Sequence, residues 1–385
     1  NNYFFLSFSV IDSTKISFGL TRLTFDDQAT TGAAISWEAT DSGKVVTFNL
    51  DPNLTWQDGQ KVNSSQLEYN LKGVDIAKPD GLSIKLTLKE SFAPLTVLLS
   101  QPIFKNGLVG LGENKVVSIK FNGRFISSLE LKNTKTFQDI VYKFYPSEEI
   151  LLTAFKLGSI DSAEGLKLPP STDLAQKYKT ESKIEGNTEA MIFFNTAKKP
   201  FDDKTIRQGL SYALPEVFPY GETTDSPMPK NSWVISAAAK KYPQNLPIAE
   251  KFLGVTGTAS AGIKINLLVT RGLEPIAATI ADAWEKVGVA TTVTVSDIVP
   301  LNFDAYLTYV ELPFDPDQYM LWHSTQSTNI SGYKSPKVDK LLEEGRQTLD
   351  QADRKDIYAS FQKAITEDVP AIFLFYPKIY SLSKN

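Results

Sequence analysis

The chain contains one histidine, His323, and this limits the chemistry that it can perform. A serine nucleophile needs a histidine base, an acidic residue that orients the base, and an exposed position at a sharp turn after a strand. The stretch Gly209-Leu210-Ser211-Tyr212-Ala213 weakly resembles such a turn. It lies inside a helical pattern with no strand ending before it, so these residues do not favour a serine hydrolase.

Metal and phosphate chemistry are also poorly supported. One histidine and no cysteine exclude a zinc centre built from these residues. Asp315 and Asp317 flank Pro316, and we interpret them as the start of a helix rather than as a cation site. No glycine-rich phosphate loop is present. We therefore expect no catalytic residue, no cofactor and no metal, although the 44 acidic residues leave a secreted carbohydrate-active hydrolase with paired carboxylates open as the alternative.

Two amphipathic helices followed by a buried strand are predicted near the C-terminal end. Asp350, with Asp353 three residues later, is a start signal for the second helix, and Pro370 ends it. Residues 371–376 are apolar and few enough to form a buried strand. The predicted inward-facing positions are Val338, Leu341, Leu342 and Leu349 in the first helix and Ile357, Tyr358, Phe361 and Ile365 in the second.

An α/β arrangement is predicted immediately before these helices. Residues 263–269, 275–287 and 289–295 read as strand, helix and strand, which is typical of a parallel crossover. Residues 303–310 form a further strand. Because ligands collect at the carboxyl ends of strands in open α/β sheets, we expect the loop after Val310 to contact a ligand.

The first half of the chain is predicted to be rich in strands. Apolar and polar residues alternate around Phe48 and again around Ile84, and Trp56 is interpreted as the plug of a small core. Residues 144–160 read as a helix for which Gly158 supplies the C-terminal cap. Residues 219–248 contain five prolines, so we expect a loop on the surface.

Four segments, in the same order along the chain, resemble family 5 extracellular solute-binding proteins, the peptide-binding group of ABC importers. They begin at Trp37, Tyr145, Met191 and Phe314 and include TWQDGQ, AFKLGSID, FFNTAKKPFDDKTIRQGLSYAL and FDPDQYMLW. A fifth stretch, SPMPKNSW from Ser226, is similar to a further family element. The family's glycine-rich element is reduced to Gly110-Leu111-Gly112, and the chain is shorter than a usual member.

The resemblance implies an α/β, bilobal periplasmic-binding-protein-like fold of type II. Lobe one would comprise a core of residues 1–30, 110–194 and 376–385 and a strand-rich subdomain of residues 31–109, and lobe two would be residues 195–375. The implied function is capture of a peptide-like solute between the lobes and its delivery to an ABC permease. An oligosaccharide is the alternative solute on the same fold, and a receptor without a transport partner is a further possibility.

The ligand contacts that we predict lie mostly in lobe two. The aspartate that in peptide-binding relatives pairs with the peptide amino terminus is replaced here by Leu312, and its neighbour Glu311 is the acid that stands nearest in sequence. This departure leaves room for an uncharged ligand. The full set of predicted ligand-binding residues is Tyr212, Tyr309, Glu311, Leu312, Trp322, His323, Ser324 and Gln326.

Composition agrees with a large extracytoplasmic binding protein. The 385 residues are too many for one ordinary core, and a net charge of −4 with scattered basic residues gives no stripe for nucleic acid. The sequence contains no run of about 20 apolar residues, which is the length that spans a bilayer. Residues 1–10 are expected to form a strand rather than a signal peptide, so an export signal and a lipid anchor would lie upstream of Asn1. We expect a monomer that works with permease subunits.

Overall fold

The computed structural model describes residues 13–255, 262–296, 298–299 and 302–384, and the strand expected at residues 1–10 lies outside them. The chain divides into two compact units, unit 1 with residues 1–182 and 379–385, and unit 2 with residues 183–378. The predicted changes of lobe at 194/195 and 375/376 therefore differ from the changes of unit at 182/183 and 378/379. The predicted domain boundaries stay predictions.

Unit 1 begins with two antiparallel sheets. A short pair of strands, β1 (Thr21–Leu23) and β2 (Ala29–Thr31), precedes a four-stranded sheet in the order β3-β4-β6-β5. Its core contains Phe48 and Ile84, as the alternation predicts, and Trp56, which is buried and donates its indole N–H to Gln66 at 2.8 Å. The strands are β3 (Ala34–Thr40), β4 (Val45–Leu50), β5 (Val74–Ala77) and β6 (Ser83–Leu88), with α1 (Leu95–Leu98) after them.

The rest of unit 1 combines a three-stranded sheet with two helices. Ser147 caps the first of these helices and Gly158 follows its end with φ 76°, so the predicted glycine cap is present although the helix is shorter than residues 144–160. The last residues of β17, from Tyr380 to Ser383, pair with β10. The elements are β7 (Asn114–Asn122), β8 (Phe125–Asn133), β9 (Asp139–Lys143), α2 (Glu148–Lys156), β10 (Ser162–Leu166), α3 (Thr172–Lys177) and β11 (Lys179–Ile184), with β17 (Ala371–Ser383) at the C-terminal end.

Unit 2 is built on a mixed sheet whose strands follow the order β17-β12-β16-β14-β15. The predicted crossover is present, because β14 and β15 are parallel and α6 connects them. β13 adds a short antiparallel pairing to β17. The strands are β12 (Thr188–Phe194), β13 (Gly221–Thr223), β14 (Lys264–Val269), β15 (Ala290–Val295) and β16 (Ala305–Glu311), and the helices are α4 (Lys204–Ala213), α5 (Leu246–Leu253), α6 (Glu274–Glu285), α7 (Tyr319–Trp322), α8 (Pro336–Gln347) and α9 (Gln351–Asp368).

Two apolar cores cover the two faces of this sheet. Alternation along β12 sends Ile192 to one face and Phe193 to the other. We call the first the Trp284 core, which α4, α5 and α6 cover, and the second the Trp322 core, which α8 and α9 cover. Their largest fully buried members are Phe194, Phe201, Phe375 and Trp284 in the Trp284 core and Trp322, Tyr358 and Phe361 in the Trp322 core.

Both C-terminal helices have side-chain caps, and the second begins at the residue that the sequence predicts. Ser335 caps α8, and the Asp350 carboxylate accepts the backbone N–H groups of Ala352 and Asp353 at the start of α9. Leu349 was expected on the inner face of α8. It lies beyond the end of that helix and is 49% exposed, so this assignment was wrong.

The proline-rich segment 219–248 lies on the surface at its two ends, where Pro219, Lys241 and Pro243 are exposed, but not in its middle. Met228 and Val234 are fully buried in the Trp322 core. The segment can be buried because side chains satisfy its backbone, with Gln362 donating to the carbonyl of Val234 at 2.8 Å and Tyr376 donating to that of Met228 at 2.6 Å.

Candidate functional site

Three of the predicted ligand residues lie at the end of β16. Because side chains alternate along a strand, they do not all point to the same face of the sheet. Tyr309 packs against the Trp284 core, with its ring edge-on to Phe375 at 6.4 Å between centroids. Leu312 is 2% exposed and belongs to the Trp322 core. Glu311 is exposed at the end of the strand, opposite Thr188 of β12. The alternation that sends Glu311 away from the face of Leu312 is the one expected of an extended strand.

Trp322 is a core residue in this structure. It is fully buried, its ring lies 5.7 Å from that of Phe193, and its indole N–H donates to Gln318 Oε1 at 2.8 Å. The expectation that Trp322 is an aromatic ligand anchor is therefore corrected, because a side chain without exposed surface and with its polar atom satisfied is built into the fold.

The polar residues after Trp322 are used in contacts with α8. His323 is 4% exposed, with Nδ1 2.8 Å from Thr325 Oγ1 and Nε2 3.1 Å from Glu343 Oε1. Ser324 donates its backbone N–H and its hydroxyl to Asp339. Gln326 donates to Thr325 Oγ1 at 3.0 Å. These bonds fix the turn after α7 on α8, so His323 and Ser324 direct their polar atoms into the protein rather than toward a solute.

Two ion pairs hold the segment before α7, and neither was predicted from the sequence. Asp315 pairs with Arg354 of α9, and Asp317 pairs with Arg346 of α8, whose Nη2 lies 2.9 Å from Oδ2. Burial raises the pKa of Asp317, and the Arg346 charge opposes that shift. The helix predicted to open at Asp315-Pro316-Asp317 begins only at Tyr319, whose backbone N–H Asp317 accepts at 3.1 Å.

Tyr212 lies in a separate aromatic group. Its ring is edge-on to Tyr242, with centroids 4.9 Å apart, and edge-on to Phe252 at 5.8 Å. This group packs against the Trp284 core, on the opposite face of the sheet from Trp322. The eight predicted ligand residues therefore do not line one common surface in this structure.

A surface depression of unit 2 with a volume of about 670 Å³ lies apart from all eight predicted residues. Tyr333 and Asp368 line it, with the Tyr333 hydroxyl donating to Asp368 Oδ2 at 2.6 Å. The Arg207 guanidinium at its wall donates to the backbone carbonyls of Phe201, Asp368 and Val369. Burial lowers the pKa of Arg207, and the Asp368 charge opposes this shift. These groups join α4 to the end of α9.

Comparison with known proteins decides the family. Residues 68–332 match the family described as "Bacterial extracellular solute-binding proteins, family 5 Middle", which is more than half of the chain. The chain belongs to this family.

Relatives of this family 5 protein agree with the match. The probable D,D-dipeptide-binding periplasmic protein DdpA of Escherichia coli K12 is 22% identical over 91% of the chain and 80% of its own length. The structure of NikZ from Campylobacter jejuni with Ni(L-His) gives a TM-score of 0.79 at 20% identity, covering 96% of this chain and 88% of NikZ. The structure of AppA of Bacillus subtilis with a nonapeptide gives a TM-score of 0.73 at 18% identity, covering 96% of this chain and 89% of AppA. The predicted periplasmic-binding-protein-like α/β fold is confirmed.

One buried acid of the family 5 protein escaped the sequence analysis. Glu189 of β12 is 0% exposed, and within the described part of the chain neither carboxylate oxygen has a hydrogen-bond partner. Burial raises its pKa well above the ordinary range of a glutamate. The sequence signal was available, since Glu189 stands directly before the apolar run Ala190–Phe194, where a charged residue is unusual.

Proposed function

We propose that this protein captures a peptide-like solute outside the cytoplasmic membrane and delivers it to an ABC importer. The match of residues 68–332 to family 5 solute-binding proteins is the observation that carries this proposal. The names of two relatives support the peptide class, since DdpA is a probable D,D-dipeptide-binding protein and the AppA structure contains a nonapeptide.

We propose a non-enzymatic role, which the same family assignment supports. His323 has both ring nitrogens engaged with Thr325 and Glu343. Ser211 lies within α4 and donates its hydroxyl to the carbonyl of Arg207 at 2.9 Å, as helical serines commonly do. The described residues contain no cluster of three or more histidine, cysteine or acidic side chains suited to a metal ion.

The proposal also covers where the protein is located and which proteins it works with. No described helix combines the length and apolarity needed to cross a bilayer. The family description places its members outside the cell, and a permease with its ATPases would supply the energy for transport. We propose a monomer that is held at the membrane by a lipid anchor upstream of Asn1.

Among the predicted ligand residues, those with exposed surface remain our candidates for solute contact. Glu311 is exposed, and Tyr212, Tyr309 and Gln326 are half-buried. Exchanging Glu311 for glutamine should weaken binding only of a solute that carries a cation.

The test is a calorimetric titration of the purified protein with a tryptic casein digest, followed by chromatography of the mixture. We expect saturable binding and recovery of the peptides uncleaved. Binding of cello- or malto-oligosaccharides in place of peptides would contradict the peptide class, and hydrolysis of those sugars would move the protein to the hydrolase class.

A further inference from the structure

The three-stranded sheet of unit 1 has one buried side and one exposed side. Its strands β7, β8 and β9 are antiparallel, and opposed residues of such strands point to the same side. Leu129 and Leu131 are buried on the inner side together with Ile16. The alternate positions form the outer side, which we call the basic face because it carries four exposed lysines. These are Lys115, Lys120, Lys132 and Lys143.

The charge of this sheet is opposite in sign to that of the whole chain. Residues 114–143 contain six lysine or arginine residues and only two acids, Glu130 and Asp139, whereas the chain has a net charge of −4. Lys115 lies directly opposite Lys132, and like charges at opposed positions destabilise a sheet. Asp139, opposite Lys132 on the other side, offsets only part of this charge. Strand pairing therefore gathers basic residues that are scattered in sequence, and an anionic partner would relieve their repulsion.

The turn between β7 and β8 carries two exposed phenylalanines. Phe121 and Phe125 are 58% and 69% exposed. The register opposes Phe121 to Ile126 and Phe125 to Asn122, so the two rings lie on opposite sides of the hairpin end. Gly123, with φ 61°, opens a two-residue turn, which is typical of a tight hairpin. A tight turn with an apolar ring on each side is suited to enter an apolar environment.

A bilayer interface is the partner that fits both features. Aromatic rings are favoured at the level of the lipid headgroups, and lysine and arginine side chains are attracted to anionic lipids there. Arg124 stands beside Phe125, and Lys120 stands beside Phe121, so each ring has a cation next to it in the sequence. Both cations are exposed. The apolar rings and the positive charges thus lie at the same end of the sheet.

Ile16 connects this sheet to the end of the chain where we propose a lipid anchor. It is fully buried with Leu129 and Leu131 under the inner side of the sheet. A tether upstream of Asn1 would therefore reach the described part of unit 1 beside this sheet. A single acyl chain gives only weak, reversible membrane binding, and stable attachment takes a second signal such as a basic patch.

We propose that the basic face and the end of the β7–β8 hairpin together form a docking surface for an anionic phospholipid bilayer. The lysines and Arg124 bind the lipid phosphates electrostatically, while Phe121 and Phe125 insert at the level of the headgroups. The surface supplies the second membrane signal beside the lipid anchor. The inference rests on the proposed location outside the cytoplasmic membrane, and it does not depend on which solute the protein carries.

The experiment measures flotation of the full chain, without a lipid anchor, on vesicles of phosphatidylcholine or of an equimolar mixture of phosphatidylcholine and phosphatidylglycerol. Each vesicle is tested at low salt and at about 0.15 M salt. Two variants remove the proposed contacts: Lys115→Gln with Lys120→Gln and Lys132→Gln, and Phe121→Ser with Phe125→Ser. Their matched controls change exposed residues elsewhere in unit 1: Lys78→Gln with Lys85→Gln and Lys89→Gln, and Phe25→Ser.

A second readout locates the contact. The chain contains no cysteine, so Asn122→Cys in the hairpin can be labelled at one position with an environment-sensitive fluorophore. Ser65→Cys, which is exposed elsewhere in unit 1, is the control. Thermal melting confirms that each variant is folded, and titration with a tryptic casein digest on the same samples measures solute binding separately.

We expect the wild-type protein to bind the mixed vesicles at least tenfold more tightly than the neutral ones at low salt, and less tightly at about 0.15 M salt. The lysine variant should bind the mixed vesicles about 10- to 100-fold more weakly, and the phenylalanine variant about tenfold more weakly. Both controls should stay within about threefold of the wild-type protein, because their residues lie outside the docking surface. Emission from the label at residue 122 should shift to the blue on mixed vesicles, and emission from residue 65 should not. Peptide binding should be unchanged in every variant.

Three results would overturn the inference. Equal binding to neutral and mixed vesicles, or none to either, shows that the lysines do not recognise anionic lipid and leaves a protein as the partner of this face. An equal loss in the control lysine variant shows that total charge, rather than the basic face, drives binding. Vesicle binding without a blue shift at residue 122 shows that another surface makes the contact. None of these results touches peptide carriage, which fails only if the casein peptides do not bind.

Discussion

Asp315 and Arg354 form a bidentate ion pair inside unit 2, with Arg354 Nη1 2.9 Å from Asp315 Oδ2 and Nη2 bonded to Oδ1. Their side chains are 7% and 6% exposed. The Arg354 Nε–H also donates to the carbonyl of Gly345 at 2.7 Å, so one guanidinium joins the segment before α7 to α8 and α9. Burial lowers the pKa of Arg354, and the Asp315 hydrogen bond and charge outweigh this and raise it.

Removal of this cation is expected to destabilise the protein strongly. Arg354→Met leaves Asp315 buried without a counter-charge and should lower the free energy of unfolding by about 3–5 kcal/mol in urea titrations. The double variant Asp315→Leu with Arg354→Met should recover most of this loss. Lys355→Met, at an exposed position of the same helix, is the control and should change stability by less than about 0.5 kcal/mol. A double variant as unstable as the single one would contradict the ion-pair explanation.

Trp322 should contribute to stability rather than to affinity. Trp322→Ala empties a fully buried site between Phe193 and Phe373, so we expect a loss of about 3–5 kcal/mol in the free energy of unfolding. Trp322→Phe should lose less, since it keeps most of the ring volume. Thermal melting and peptide titration on the same samples separate the two roles. Unchanged stability with weaker peptide binding would restore the interpretation of Trp322 as a ligand anchor.

Glu189, which has no hydrogen-bond partner among the described residues, predicts a particular pH dependence of stability. Its pKa in the folded protein is raised by burial above the ordinary value of 4.5, so the folded state holds the proton where the unfolded chain has lost it. The free energy of unfolding contributed by this group therefore falls as pH rises from 4.5 toward the raised pKa. Urea midpoints measured from about pH 5 to about pH 8 should fall less in Glu189→Gln than in the wild-type protein.

Other carboxyl groups change the free energy of unfolding with pH in the same direction. Their contribution cancels when the wild-type protein is compared with Glu189→Gln. Burial also raises the pKa of Asp225 and Asp317, and these carboxyl groups are present in both proteins. Tyr376, the neighbour that feels the Glu189 charge, has its pKa raised further above the ordinary range of a tyrosine. Identical pH profiles of the wild-type protein and Glu189→Gln would show that Glu189 has a partner in solution.

The cap of α9 gives a local test of the fold. Asp350 accepts the N–H groups of Ala352 at 2.9 Å and Asp353 at 3.0 Å, so Asp350→Ala should lower the free energy of unfolding by about 1 kcal/mol. Asp356→Ala removes an exposed acid from the same helix without removing a cap and is the matched control. Equal effects of the two substitutions on the urea midpoint would indicate that charge, rather than capping, matters here.

Local signals in the sequence predicted the parts of the fold that local chemistry determines. The cap at Asp350, the glycine after α2 and the crossover from β14 to β15 are all present. Asp315 was interpreted as a helix start because its partner Arg354 is distant in sequence, and spacing along the chain does not reveal such a pair. The burial of Met228 and Val234 was not predicted because Gln362 and Tyr376, which satisfy the backbone there, also lie far away in sequence.

The candidate site was predicted less well than the fold, for a physical reason. A helix or strand period reports which face of an element is apolar, and alternation along the strand predicted that Glu311 points away from the face of Leu312, which lies in the Trp322 core. It does not report whether a polar side chain finds a partner inside the protein. His323 and Ser324 find partners on α8, whereas Glu189 finds none among the described residues.

The most direct test of peptide carriage is native mass spectrometry of the protein as purified, followed by mass spectrometry of the same sample after denaturation. We predict that the native protein carries added mass and that denaturation releases a mixture of short peptides with free amino termini. Release of sugars, or of amine-free molecules alone, would contradict the account.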